Sequence, residues 1–190
     1  MKKILLALLV LASVQVSAQK FPGIDKSIMD VTYYPIGAHG VAFAKTLEAK
    51  AALTPRIKVI YSRPLVNGRT VFGDLVKFNE DWRFGANEST EIDFYTPVQF
   101  GETILAPGRY TLYCIPKADT WTLKIHPSLD GWGSYGYDSS RDLASVTVPV
   151  SKSADLIEAF SIALYEASPG VVHLKAGWEH TVAEFPIKLL

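Results

Sequence analysis

From Arg56 onward, apolar and polar side chains alternate with a period of two. Ile57, Val59 and Tyr61 alternate with Lys58, Ile60 and Ser62. The same rhythm returns at Ile92 and Phe94, through Arg109 to Ile115, and at Trp121, Leu123 and Ile125. It continues at Val146 and Val148, at Phe160, Ile162 and Leu164, along Val172, Leu174, Ala176 and Trp178, and at Ala183, Phe185 and Ile187. Strict alternation marks strands that bury one face. Val98 to Leu105 is strand material broken by Gly101, and Asn67-Gly68 is a tight-turn pair that leads into strand-like Arg69 to Phe72. Ala106-Pro107-Gly108 reads as a turn with Arg109 to Ile115 pairing back across it. Asp155 to Glu166 also suits a helix, but the alternation after Ala159 favours a strand. Roughly eight to ten short strands with regular turn punctuation predict an all-β fold. The expected architecture is a single antiparallel β-sandwich, jelly-roll-like, over residues 56–190. Residues 19–55 form an N-terminal arm rich in Pro and Gly, with Tyr33 and Tyr34 as anchors. Val41 to Leu53 is the one helical stretch, favoured by Glu48, Lys50 and alanines and ended by Pro55.

The first eighteen residues break this pattern. Lys2 and Lys3 precede an unbroken apolar run, Ile4 to Ala12, and Val16-Ser17-Ala18 follows with small side chains. Charge, apolar stretch and small-residue exit in that order predict a signal peptide over 1–18 and a mature start at Gln19. The run is shorter than the about 20 apolar residues that span a bilayer, so no stable membrane insertion is expected after cleavage. The expected destination is the periplasm, with the extracellular space as the alternative. No Cys follows Ala18 to carry a lipid. The single cysteine, Cys114, excludes an internal disulfide and sits in an alternating strand as a buried, inert thiol. Nineteen basic and nineteen acidic residues balance without a basic stripe, which excludes nucleic acid as a natural partner.

Several ordered motifs resemble one family. They are Val59-Ile60-Tyr61-Ser62-Arg63-Pro64, Gly68-Arg69-Thr70-Val71-Phe72-Gly73 and Trp82-Arg83-Phe84-Gly85-Ala86-Asn87-Glu88-Ser89-Thr90. Ala106-Pro107-Gly108-Arg109-Tyr110-Thr111-Leu112-Tyr113, Ile115-Pro116 and Trp132-Gly133-Ser134-Tyr135-Gly136-Tyr137-Asp138 follow in the same order. The Asp30-Val31-Thr32-Tyr33-Tyr34-Pro35 arm also resembles a subset of members. Together they are similar to the bacterial DUF2911 proteins over nearly the whole mature chain. The resemblance implies an exported β-rich domain and no particular activity. His126 stands near where that family's pattern carries Asn and is not carried over as a site residue.

Two segments concentrate chemistry. Trp82 to Thr90 sets Trp82, Arg83, Asn87 and Glu88 in one short loop, with Arg63 and Arg69 in reach. One arrangement binds an anionic or polyhydroxyl ligand through guanidinium forks. The other pairs Arg83 with Glu88 as a buried ion pair that stitches the loop to the sheet. In the second segment, Trp132, Tyr135 and Tyr137 either present ring faces to a sugar, with Asp138 accepting hydroxyls, or fold back to cap the sandwich. His39, His126, His173 and His180 lack the spacing of metal ligands, no Gly-x-Ser-x-Gly elbow is present, and no cofactor is expected. The expected function is a non-catalytic exported binding or envelope-associated module for a polar or anionic ligand such as a glycan. The alternatives are a hydrolase using Glu88 or Asp138 with Arg83, and a purely structural or assembly domain.

Overall fold

The computed structural model describes residues 19–190; the leader read at 1–18 lies outside the described residues. Nine strands follow one another: β1 (Met29–Tyr34), β2 (Ile57–Ser62), β3 (Thr90–Phe94), β4 (Val98–Phe100), β5 (Thr103–Leu105), β6 (Gly108–Pro116), β7 (Thr120–His126), β8 (Ala144–Ser168) and β9 (Val171–Leu189). All pairings are antiparallel, in the order β1-β2-β3-β6-β7-β8-β9-β4-β5. The expected all-β fold is therefore observed.

The sheet folds over on itself at its two longest strands. The 19 residues of β9 would span about 60 Å if straight, yet the Leu189 amide donates to the Gly170 carbonyl at 2.8 Å. β9 must double back, and it does so at Glu179, whose φ of 57° is left-handed. β8 follows it. Val150, Ser151 and Lys152 pair with Ala183, Val182 and Thr181, whereas Ile157 to Ser168 pair with Glu179 to Val171. The two arms of β9 run in opposite directions, so the two parts of β8 do too, and the register slips between Lys152 and Ile157. The fold-over brings the end of β2 back to β8: Leu65 bridges Ala159, and the Phe160 amide donates to the Pro64 carbonyl at 2.9 Å.

Between the two halves lies one core. Phe72, Trp82, Phe84, Trp121, Phe160, Trp178 and Phe185 pack with ring centroids 4.9–6.4 Å apart, mostly edge to face. Three of these seven rings come from the connection between β2 and β3. That connection is not a surface flap but a packed plug, with Val66, Val71 and Val76 also buried.

The structure departs from the sequence expectations in four places. The arm contributes an edge strand, β1, in register with β2 from Met29–Ser62 to Tyr34–Ile57. The helical stretch resolves into a 3-10 turn, Ala38–Phe43, and a short helix α1, Leu47–Leu53, capped by the Thr46 hydroxyl accepting from the Ala49 amide at 3.1 Å. Arg69 to Phe72 is not a strand. The Asn67-Gly68 turn forms, with φ of 48° and 67°, but the Arg69 guanidinium folds back onto the Val66 and Leu65 carbonyls and leaves only a single bridge from Phe72 to Val76. Arg109 to Ile115 does not pair across the Ala106–Gly108 turn. β5 turns back on β4, which joins β9, while β6 crosses to pair with β3 and β7.

Candidate functional site

The β2–β3 connection is held at Trp82 to Thr90 by backbone geometry. Trp82 exchanges both backbone hydrogen bonds with Cys114 on β6 at 2.8 Å, and its indole Nε1 donates to the Gly85 carbonyl at 3.0 Å. The Thr90 hydroxyl donates to the Phe84 carbonyl at 2.6 Å, and Phe84 takes a left-handed φ of 55°. Gly85 packs closely here: a Cβ would stand 3.1 Å from the Ser62 carbonyl oxygen and from the Thr90 hydroxyl, tighter than ordinary contact. Trp82 and Phe84 are buried on this rigid turn, and Arg83 between them is half-buried and lines a cavity of about 360 Å³.

This cavity gathers unspent polar groups. Among the described residues Arg83 forms no ion pair, and its buried Nε donates to no protein acceptor. Burial lowers the Arg83 pKa, and the neighbouring Tyr135 acts weakly against that shift. Trp178 lines the same cavity, is 1% exposed, and its Nε1 also lacks an acceptor. Buried donors are almost always satisfied, so these two are exceptions; both nitrogens are closed off from solvent and neither faces the open space of the cavity. Arg69 spends Nε and one terminal nitrogen on the Val66 and Leu65 carbonyls and keeps the other terminal nitrogen. Lys77 meets only Asp74, at 3.7 Å and well exposed. Of the two carboxylates on the lining, Asp81 lies 3.6 Å from Lys124 and Glu80 has no ion-pair partner among the described residues.

The remaining predicted residues separate into different places. Arg63 does not reach the cavity. It donates to the Phe160 carbonyl at 3.1 Å, to Asp30 at 2.9 Å and to the Ser161 hydroxyl at 2.8 Å, which ties β1, β2 and β8 together. The ion pair between Arg83 and Glu88 is not formed; Glu88 is exposed, bridges Trp132 and lines a second cavity of about 290 Å³ beside Tyr61, Glu91 and Asp130. Asn87 lines the first cavity, but its amide donates to Asp25 of the arm at 2.9 Å and its carbonyl accepts from the Gly133 amide at 2.8 Å.

The aromatic segment divides between the two roles expected of it. Tyr137 folds inward. Its hydroxyl donates to Asp142 and accepts from Lys124, both at 2.7 Å, and its ring packs on Tyr113 and His126. Burial first, then the hydrogen bond to Asp142, pushes its pKa far above the ordinary value. Asp138 caps the 3-10 turn Ser139–Arg141: it accepts from the Ser140 amide and hydroxyl at 3.0 and 2.7 Å, and these bonds lower its pKa. Trp132 and Tyr135 face outward, 58% and 84% exposed. Tyr135 lies beside Arg83: a Cβ on Gly133 would stand 3.0 Å from the Tyr135 ring and 3.7 Å from an Arg83 terminal nitrogen. Sequence reasoning missed Lys77, Glu80 and Trp178. Trp178 was visible only as the inward position of an alternating strand, and nothing distinguishes one core indole with an unmet donor from another.

An all-β domain with a polar, arginine-lined cavity set against its aromatic core is the class that fold and site define. The family model described as "Protein of unknown function (DUF2911)" matches residues 44–187, and the chain belongs to that family. No curated protein and no solved structure matches it.

Proposed function

We propose that the protein is a non-catalytic exported binding module whose ligand enters the Arg83 cavity. The observation that carries this reading is Arg83: a half-buried guanidinium that lines an open cavity and has no carboxylate partner among the described residues. A structural arginine is expected to be paired when buried, as Arg63 is. An unpaired one on an open cavity is a stored cost that an anionic or acceptor-rich ligand offsets. The leader at residues 1–18 supports export, with the periplasm as the compartment. The hydrolase alternative gains no support: Glu88 lines a different cavity, and the Asp138 carboxylate serves its own turn. A purely structural role leaves Arg83 unexplained.

The test is a thermal-shift panel of inorganic phosphate, sulfate, carboxylates and neutral and acidic sugars on the purified protein, repeated on Arg83→Met. A saturable stabilisation by at least one acceptor-rich compound that Arg83→Met abolishes is the expected result. If every hit survives Arg83→Met unchanged, the ligand does not use this cavity.

A further inference from the structure

We infer that the N-terminal arm and the edge strand β1 form a second binding surface, whose partner is an anionic lipid membrane touched at its headgroup layer. Arg83 takes no part in it.

Seventeen large apolar side chains are exposed among the described residues, and eight of them fall between Phe21 and Leu47. Scattered exposed apolar side chains are ordinary, but a run of them along one segment marks a contact surface. Phe21, Ile24, Ile28, Ile36, Phe43 and Leu47 are 63–97% exposed. Their path along the fold is continuous. The Asp25 carboxylate accepts from the Asn87 amide at 2.9 Å, and the Ile28 carbonyl accepts from the Arg63 amide at 2.9 Å, which fixes the start of the arm. β1 then follows the free edge of the sheet, and the 3-10 turn Ala38–Phe43 and α1 come after its far end. In the register Met29 stands opposite Ser62 and Val31 opposite Ile60, on the other face from buried Val59. Met29 and Val31 are 52% and 44% exposed, so the strand carries apolar surface between the two ends.

Charge selects the partner. Lys20, Lys26, Lys45 and Lys50 are exposed, and none forms an ion pair among the described residues. Of the three acids on the same stretch, Asp30 is held by Arg63 at 2.9 Å. Residues 19–53 carry four basic and three acidic side chains, a net of +1, while the remainder of Gln19–Leu190 carries 13 and 16, a net of −3. The positive part of the domain is therefore also its apolar part. Free lysines interleaved with Phe, Ile and Leu suit an anionic bilayer: rings and alkyl groups enter the headgroup region, and ammonium groups meet the phosphates. A second copy of the chain fits less well. A twofold contact sets one patch against itself, which faces unpaired lysines with unpaired lysines. Strand addition at β1 is hindered as well. The Ile28 and Tyr34 carbonyls both point to β2, so by alternation the Val31 amide points to the free edge, where the Asp30 carboxylate already accepts from it at 2.8 Å.

The experiment is co-sedimentation of Gln19–Leu190, which holds the whole described fold and lacks the apolar leader, with two kinds of vesicle. One is phosphatidylcholine alone, the other equal parts phosphatidylcholine and phosphatidylglycerol. Saturable binding to the mixed vesicles, weakened by salt and at least about tenfold weaker on phosphatidylcholine alone, is the expected result. Phe21→Ser combined with Phe43→Ser is expected to weaken binding by at least about tenfold, since partial burial of one ring is enough for that. Both rings are 85% or more exposed, so the fold is expected to keep its stability, which a thermal melt checks. Arg83→Met is expected to bind vesicles as the wild type does. Absence of binding to the mixed vesicles overturns the inference. Equal binding to both compositions also overturns it, and so does an affinity that the double variant leaves unchanged. Self-association in sedimentation velocity that the double variant abolishes, without vesicle binding, overturns it in favour of a second copy. The reading of the Arg83 cavity stands or falls separately, by its own thermal-shift panel.

Discussion

Replacing Arg83 by Met is expected to make the protein more stable. An arginine that serves only the fold behaves in the opposite way, so the sign decides between the two roles. The Arg83 Nε is a buried donor without an acceptor, and such a group costs about 1–3 kcal/mol. The rest of the guanidinium is partly solvated, so the lower end applies. Methionine keeps an unbranched chain of similar reach and carries no donor. A gain of about 1 kcal/mol follows, equivalent to a rise in Tm of about 2–4 °C for a chain of this size. The same substitution at Arg63 is the control. There it removes three hydrogen bonds and leaves the Phe160 carbonyl and the Asp30 carboxylate without their donor, so a loss of about 2 kcal/mol is expected. Equilibrium urea unfolding, followed by the fluorescence of the core tryptophans, measures both, provided the slope with denaturant is unchanged. A loss of 1 kcal/mol or more in Arg83→Met, on the order of one ordinary hydrogen bond, refutes the reasoning, because the guanidinium would then be a paired structural group.

Two further outcomes follow from other parts of the molecule. Lys124 and Asp142 face each other at 3.2 Å, 12% and 16% exposed, with the Tyr137 hydroxyl between them. Lys124→Met leaves that carboxylate uncompensated, so a loss of about 3 kcal/mol and release of the Tyr137 loop are expected, read by urea unfolding and by hydrogen exchange at Tyr137. On the β8–β9 face, burial works against the charge of Glu184, but hydrogen bonds from Tyr165, His173 and Lys175 outweigh it and hold the carboxyl at about 2 instead of 4.5. The folded-state value is the lower one, so this stabilisation is complete above about pH 4.5 and is lost as the pH falls towards 2. Glu184→Gln is expected to flatten that part of the stability-versus-pH curve; an unchanged slope between pH 4.5 and 2 would show that the cluster contributes nothing.

Most strands were legible because burial on one face writes itself into alternation. β2, β3, β7 and both arms of β9 fall where Ile57, Ile92, Trp121, Val172 and Phe185 predicted them, and all five are buried. The ambiguity at Asp155 to Glu166 resolved to strand for the same reason, with Phe160, Ile162 and Leu164 inward. Pairing was not legible, because alternation states which face is buried and not which neighbour is bonded. The Ala106–Gly108 turn thus suggested a hairpin, whereas β5 and β6 belong to opposite halves of the sheet. β1 was hidden because its burial is slight: as an edge strand with Met29 and Val31 exposed, it lacks a clean apolar face.

The site was half legible, and the division has a physical cause. Trp82 to Thr90 drew notice as a dense group of polar and aromatic residues, and it does supply Arg83 and Asn87 to the cavity. The same density made Arg63, Tyr137 and Asp138 look like site residues, although each is spent on the fold: Arg63 on β8, Tyr137 on Lys124 and Asp142, Asp138 on Ser140. A sequence records which side chains can form strong hydrogen bonds, but not whether those bonds are already made. What separates Arg83 from Arg63 is therefore a remainder, the donor left over once the fold has taken its share. The cavity that Arg83 lines is completed by Trp178 from β9, far along the chain, which the spacing of residues does not show. On the proposed reading, a binding residue is one whose removal leaves the fold as stable or more so, and Arg83 meets that condition, whereas Arg63 and Tyr137 do not.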